Sequence, residues 1–392
     1  MFYDLAASSW GHEELEAIKK VVDSNRFTMA GKVEEFETRF AAYHDRRYCI
    51  MVNSGSSANL IATASLFYKQ KAPLLPGDEV LVPAVSWATT YYPLLQYGLR
   101  LRFIDIDLTT LNMDTTQLQD ALTPNTKMVV GVSILGNPAP LDQMASFCKQ
   151  HGLYFLEDNC ESMDAELNEK KAGTFGDIST FSSFFSHHIS TMEGGLITTD
   201  SEEIFHICKS LRSHGWSRDL PSSSSLFEQK SDDFFEAYRF ILPGYNVRPL
   251  ELAGAIGIEQ LKKLPLLTSV RRKNLSLFQK LFGNDPRFII QKENGKSSSF
   301  SFTIILNPKL RSDRSRVFAA LKTADIGYRI ITGGCFTRHD VIKFFDYDCV
   351  GPLPNANIAH DFGFFVGNHP YDLTEQIKKL YEVIDSSCDT EK

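Results

Sequence analysis

Apolar positions in the first forty residues recur at helical spacing, first Leu15, Ile18 and Val22, then Val33, Phe36 and Phe40, so the pattern predicts helices over 12–23 and 32–43. A different rhythm follows. Short apolar runs at 48–52, 79–83, 101–105, 128–133, 154–157, 180–185 and 196–199 alternate with helical stretches, which predicts an α/β fold with a mostly parallel sheet covered on both faces. Between the first run and a helix expected to open at Ala58 stands the small-residue turn Asn53-Ser54-Gly55-Ser56-Ser57. Residues 216–233 have no periodicity and read as a long loop, and LPGYNVRP at 242–249 reads as a turn before a helix over 250–261. From about Leu264 the composition changes: a basic helix carrying Arg271-Arg272-Lys273 leads to strand-like 300–306, a helix over 314–323 and strand-like 326–330. The expected organisation is a large domain over 1–262, with an N-terminal helical arm, and a smaller α+β domain over 263–392.

Composition narrows the function classes. The 392 residues are 43% hydrophobic and 23% charged, enough apolar content for a buried core in each domain. A net charge of −7 argues against a nucleic-acid surface but not against a local phosphate pocket. The opening residues MFYDLAASSWGHEEL carry neither a basic leader nor an apolar core, and no apolar run reaches a membrane span, so the expected location is the cytoplasm. Seven cysteines are scattered without a C-x-x-C pair, and free thiols are expected. Asp105 and Asp107 in FIDID lack further ligands nearby in sequence, so no metal is assigned.

Candidate chemistry gathers where the apolar runs stop. The run 154–157 ends in Asp158, placed at the carboxyl edge of an open sheet where ligands bind, and the run 180–185 leads into His187-His188 and a Glu-Gly-Gly turn. An Asp at one strand end and a base about one supersecondary unit later suit a pyridoxal phosphate site, which needs one group on the ring nitrogen and another to move a proton beside it. The turn at Gly55, Ser56 and Ser57 would offer helix N-terminal N–H groups to a phosphate, although such turns are also ordinary N-caps. Arg248 and Arg329 carry guanidinium forks suited to a diphosphate, and surface ion pairs would account for either equally well.

The segments SGSSANL (54–60), PAVSWATT (83–90), LEDNCES (156–162), GTFGDISTFSSFF (173–185), EGG (193–195) and LPGYNVRP (242–249) resemble the DegT/DnrJ/EryC/StrS sugar-aminotransferase family over nearly the whole chain. The resemblance implies a fold type I pyridoxal phosphate transferase of aspartate aminotransferase type. Where ordinary members carry a lysine, six residues before the Glu of EGG, this chain has His187, and no lysine lies between Lys171 and Lys209. That exchange resembles the nucleotide-sugar 3-dehydratase branch. It implies pyridoxal or pyridoxamine phosphate held without a covalent link, L-glutamate as amino donor, and removal of a sugar hydroxyl beside a ketone, with His187 as the base. His188, its neighbour on a presumed strand, would face the other way. Further residues carried over are Trp87 on the cofactor ring, otherwise a core aromatic; Ser182 at the phosphate, otherwise structural; and Glu161 at the ring hydroxyl or the substrate. Asn246 would reach the phosphate of a second copy in a homodimer, or else cap a helix, and His214 would be a substrate-side or a plain structural histidine. The C-x-C pair of an iron–sulfur dehydratase subclass is absent, so no reductase partner is expected. A non-catalytic nucleotide-sugar-binding paralogue, or a 3-dehydratase for a CDP- or dTDP-sugar, remains the alternative.

Overall fold

The computed structural model describes residues 2–310 and 314–388. Two helices, α1 (His12–Ser24) and α2 (Gly31–Tyr43), precede the first strand, β1 (Tyr48–Val52). In α2 the expected apolar face is the buried one, through Val33, Phe36 and Phe40. In α1 it is not: Leu15 and Val22 are exposed, while Val21 and Glu14 are buried. The Glu14 carboxylate accepts from Gln260 and Lys263, so a polar network, and not an apolar stripe, seats this helix.

From β1 the chain runs through α3 (Gly55–Phe67), β2 (Glu79–Pro83), α4 (Ala88–Gln96), β3 (Arg100–Ile104), the short α5 (Leu118–Ala121), β4 (Thr126–Val132), α6 (Leu141–His151), β5 (Tyr154–Asp158) and the small hairpin β6 (Glu166–Leu167) and β7 (Lys170–Lys171). It continues through β8 (Ile178–Ser182), β9 (Gly195–Thr199), α7 (Glu202–Arg212), the short α8 (Asp233–Glu236) and α9 (Glu251–Phe282). Then come β10 (Phe288–Ile290), β11 (Ser301–Leu306), α10 (Arg314–Thr323), β12 (Arg329–Ile330), β13 (Tyr347–Cys349), α11 (Pro354–Phe362), β14 (Gly363–Gly367) and α12 (Thr374–Cys388). Among the described residues the large sheet has the order β1-β9-β8-β5-β4-β2-β3-β13. It is parallel except at β9, which runs antiparallel to both β1 and β8. A second, antiparallel sheet has the order β10-β11-β14-β12.

Three boundaries differ from the sequence expectation. α3 opens at Gly55 and not at Ala58, because the Ser54 hydroxyl caps it by accepting from the Ser57 N–H at 3.1 Å. The strand expected over 180–185 ends at Ser182, where its ladder with β9 ends at the pair Ser182–Gly195. The helix expected over 250–261 continues without a break to Phe282, past Pro265, so residues 262 and 263 lie inside it. β13 returns to the edge of the large sheet beside β3, which no apolar run announces. No helix of the described residues is long and apolar enough to cross a membrane.

Candidate active site

The site is built where β1, β5 and β8 end and β9 begins. α3 is apolar on nearly all sides and buried against β8 and β9, which drives its N-terminus into the sheet edge. That approach needs two glycines. A Cβ on Gly195 would lie 2.2 Å from the Ser54 carbonyl, and one on Gly55 would lie 2.7 Å from the Ser182 Cβ. The second glycine of EGG thus lets β9 begin against the small-residue turn. The N–H groups of Gly55 and Ser56 have no acceptor among the described residues, and they point from the positive end of a helix.

Asp158, the last residue of β5, is buried. Its Oδ2 accepts from Asn59 Nδ2 at 2.8 Å and Thr90 Oγ1 at 2.7 Å, and its Oδ1 from the Cys160 N–H at 3.1 Å. Thr180 donates to Asn59 Oδ1, and Ser86 bonds Thr90, extending the network behind the carboxylate. Every donor in this set is neutral, and among the described residues no cationic side chain pairs with Asp158. A buried carboxylate without a counter-charge is costly, and the protonated nitrogen of a pyridine ring would supply one. Trp87, the N-cap of α4, leaves its ring 59% exposed instead of packing in the core. Free helix N–H groups, an unpaired aspartate and an uncovered indole fit pyridoxal phosphate. Glu157, next along the strand, faces the other way and accepts N–H groups from Gly173, Phe175 and Gly176 at 2.6–2.7 Å, so the GTFGD segment is structural.

His187 and His188 lie in a turn, not on a strand as expected. They diverge all the same. His188 is buried with Nε2 3.2 Å from the Ser298 carbonyl, while the His187 ring lies between Phe184 and Phe300, centroids at 5.8 and 5.1 Å, with a buried Nδ1 that has no partner. Burial lowers the His187 imidazole to about 4, with the nearby Arg271 cation pushing in the same direction, and lowers His188 well below its usual range. The imidazole is thus held below its ordinary value of about 6.5. Several groups hold this turn: Trp10 Nε1 donates to the Ser190 carbonyl at 2.9 Å, the Ser190 N–H donates to Gln260, and Ser183 bonds Thr191.

Glu161 accepts the Leu135 N–H at 2.9 Å, and burial pushes its carboxyl up to about 7, with Asp158 adding to the shift. Ser182 accepts the Phe184 N–H, and Ser56 donates to Thr89 beside Trp87. Gly55, Ser56, Ser57, Trp87, Asp158, Glu161, Ser182 and His187 thus belong to one connected region. Asn246, Arg248 and His214 form a second group: Arg248 Nε donates to Asn246 Oδ1 at 3.0 Å, and His214 packs on Trp216 at 5.0 Å. The Val247 carbonyl accepts the Asn53 N–H at 3.0 Å, which ties this group to the edge of the phosphate turn. Arg329 stands apart on β12, exposed, and among the described residues its guanidinium donates only to the Tyr328 carbonyl. Sequence reasoning missed Asn59 and Thr90, both inside quoted segments, and Arg271. Among the described residues no cluster of three or more His, Cys, Asp or Glu could hold a metal, and Cys49, Cys148, Cys160, Cys208, Cys335 and Cys349 are free thiols.

Comparison with known proteins gives a consistent result. The profile of the DegT/DnrJ/EryC1/StrS aminotransferase family matches residues 8–384. A relative from Yersinia pseudotuberculosis, GDP-4-keto-6-deoxy-D-mannose 3-dehydratase, is 50% identical over 97% of this chain and 98% of its own. The E. coli enzyme of that name, solved with bound hydrated PLP, superposes with a TM-score of 0.95 at 49% identity, covering 97% of this chain and 99% of that one. A structure of GDP-4-keto-6-deoxymannose-3-dehydratase with a trapped PLP-glutamate geminal diamine gives 0.96 at 49% identity, covering 97% and 100%.

Proposed function

The chain belongs to the DegT/DnrJ/EryC1/StrS aminotransferase family, and from that premise we propose that it removes the C3 hydroxyl of a nucleotide-linked 4-keto-6-deoxy sugar, GDP-4-keto-6-deoxy-D-mannose, with L-glutamate as amino donor and ammonia released. One feature supports the reading most: by its spacing from the EGG turn, His187 takes the place of the family's lysine, beside the Asp158 network and the helix N-terminus at Gly55. Bound pyridoxamine phosphate supplies an electron sink that lets a proton leave its methylene carbon and a hydroxyl leave the adjoining sugar carbon.

The rest is work for the chain's own side chains. Asp158 balances the charge on the ring nitrogen, and its three neutral donors fix its orientation. The Gly55 and Ser56 N–H groups, with Ser57 and Ser182, hold the phosphate, and Trp87 covers the ring. His187 has no primary amine to hold an aldehyde covalently, so the cofactor stays exchangeable. Its lowered proton affinity keeps the imidazole neutral at physiological pH, ready to take a proton at the methylene carbon and pass one to the departing hydroxyl, which leaves as water.

In this reading the active unit is a homodimer in which Asn246 completes the phosphate site of the other copy, while His214, Arg248 and Arg329 face the nucleotide. Exposed Phe184, Phe185 and Met192 around the His187 turn support a covering partner. The test is product analysis with GDP-4-keto-6-deoxy-D-mannose, glutamate and pyridoxal phosphate. A 3-deoxy-4-keto product is expected; tight sugar binding without turnover would favour a binding paralogue.

A further inference from the structure

Arg271 is a charged residue in an apolar stripe. Along α9 the buried positions Leu264, Thr268, Arg271, Leu275, Phe278 and Phe282 fall at alternating spacings of four and three, the face that packs inward. A guanidinium in such a place is expected to find a carboxylate. This one does not: its Nη1 donates to the carbonyls of Asn368 and Phe300, its Nη2 reaches the His187 carbonyl at 3.5 Å, and its Nε is buried without a partner. No ion pair joins it among the described residues. Asn368 closes the arrangement by donating back to the Arg271 carbonyl at 2.9 Å and to Ser299. One buried cation therefore grips three segments by their carbonyls, namely the His187 turn, the entry to β11 and the end of β14.

We propose that Arg271 is a positioning residue for the reaction: it fixes the His187 turn against the second sheet and, as a buried cation without a counter-ion, keeps the imidazole in its uncharged, proton-accepting form. The inference rests on the reading of His187 as the base. Its electrostatic half follows from Coulomb's law in a site with little water, where a fixed positive charge opposes a second one nearby. The charged and titratable groups acting on the turn are few: Arg271 and Arg272 come from α9 and His188 from the turn itself, and the neighbouring rings of Phe184 and Phe300 carry no charge. Burial lowers His188 and His369, with the Arg271 charge adding to it in both, and the guanidinium itself is pulled down to about 10 by burial.

Such a device solves a problem specific to this chemistry. A lysine in the same place would be needed in both charge states, but a histidine acting first as a base must begin neutral, and a fixed cation nearby opposes its protonation.

The test reads the charge of His187 directly. Protein labelled with 13C at histidine Cε1 is titrated by NMR, and the His187 signal is assigned by its loss in His187→Asn. In the unmodified chain the ring is expected to stay neutral down to about pH 5 or below; a midpoint near 6.5 would overturn the proposal with no variant needed. In Arg271→Gln the midpoint should rise, by less than burial lowers it, and the acid limb of the kcat profile should rise with it. Arg271→Lys retains the charge and loses the fork, so the midpoint should stay low while kcat falls at all pH values. An unchanged midpoint in a folded Arg271→Gln, with uniform loss of activity, would make the residue merely structural. If the midpoint moves while His187→Asn keeps normal turnover, the base assignment fails and the electrostatic coupling stands.

Discussion

Two buried charges without opposite partners flank the site, and they are solved in opposite ways. Asp158 is an anion held by neutral donors at the end of β5; Arg271 is a cation held by carbonyls, at the middle of a long helix behind the His187 turn. The difference is one of completion. An anion at a ligand-binding edge can gain its counter-charge from a ligand, so its cost is deferred until binding. A cation sealed between three chain segments gains nothing from a ligand and acts instead on the histidines around it. On the proposed reading, the first charge meets the cofactor ring and the second adds to the burial that keeps the base neutral.

The largest effect should come from removing the imidazole in front of the Arg271 cation. His187→Asn is expected to preserve the fold and cofactor binding but lower deoxygenation by about two to four orders of magnitude, the usual worth of a positioned general base. His188→Asn should cost far less, because that ring bonds the Ser298 carbonyl and not the pocket. The reverse order in steady-state rates would move the base by one residue.

Next in size is Asp158→Asn. Cofactor affinity should fall by about two to three orders of magnitude, the range expected when one partner of a buried ion pair is lost, as read by absorbance titration. The melting temperature of the cofactor-free protein should not fall, since in that state the aspartate is an uncompensated charge. If affinity is unchanged, the ring nitrogen does not sit on Asp158 and the comparison loses its first half. Arg271→Met should do the opposite: cofactor affinity changes little, while the cofactor-free protein loses about 1–3 kcal/mol in urea unfolding, because buried carbonyls lose their donor.

These two charges were not equally legible in the sequence. Asp158 could be read because an apolar run ends on it and strand ends in open sheets face ligands, and the turn at Gly55 was legible as small residues opening a helix. The alternation of strands and helices gave most of the large sheet. What escaped was whatever depends on residues far apart in the chain. Asn59 and Thr90 serve Asp158 from two different helices, and no local pattern says that their side chains meet. Arg271 was read as part of a basic run with Arg272 and Lys273, although its place in the apolar stripe of α9 marked it as buried. Leu15 and Val22 failed for the converse reason: the spacing was helical, but the face that packs is set by Glu14 and its partners on α9. The His187 turn was read as strand because Phe184 and Phe185 continue the apolar run, and only the ladder with β9 shows where pairing stops.

The smallest expected effect bears on the cation side alone and is a matter of sign. His44, His187 and His188 are all held neutral by burial, at about 3, about 4 and well below the ordinary value, respectively. Their folded-state values lie under the unfolded value of about 6.5, so between those limits the unfolded chain binds more protons. Stability from these groups is then complete above about pH 6.5 and is lost as the pH falls towards about 4, at about 1.4 kcal/mol per pH unit for each histidine that the unfolded chain alone has protonated. Urea unfolding of the cofactor-free protein between pH 4.5 and 7.5 should show this slope. Arg271 opposes protonation of His187 and His188 but lies outside the causes acting on His44, which are burial, Lys171 and Arg46. Arg271→Gln should therefore flatten the slope only in part, leaving the His44 contribution in place. A slope untouched by that substitution would mean that burial alone keeps the two site histidines neutral, and the cation behind the turn would then differ from Asp158 only in sign, not in function.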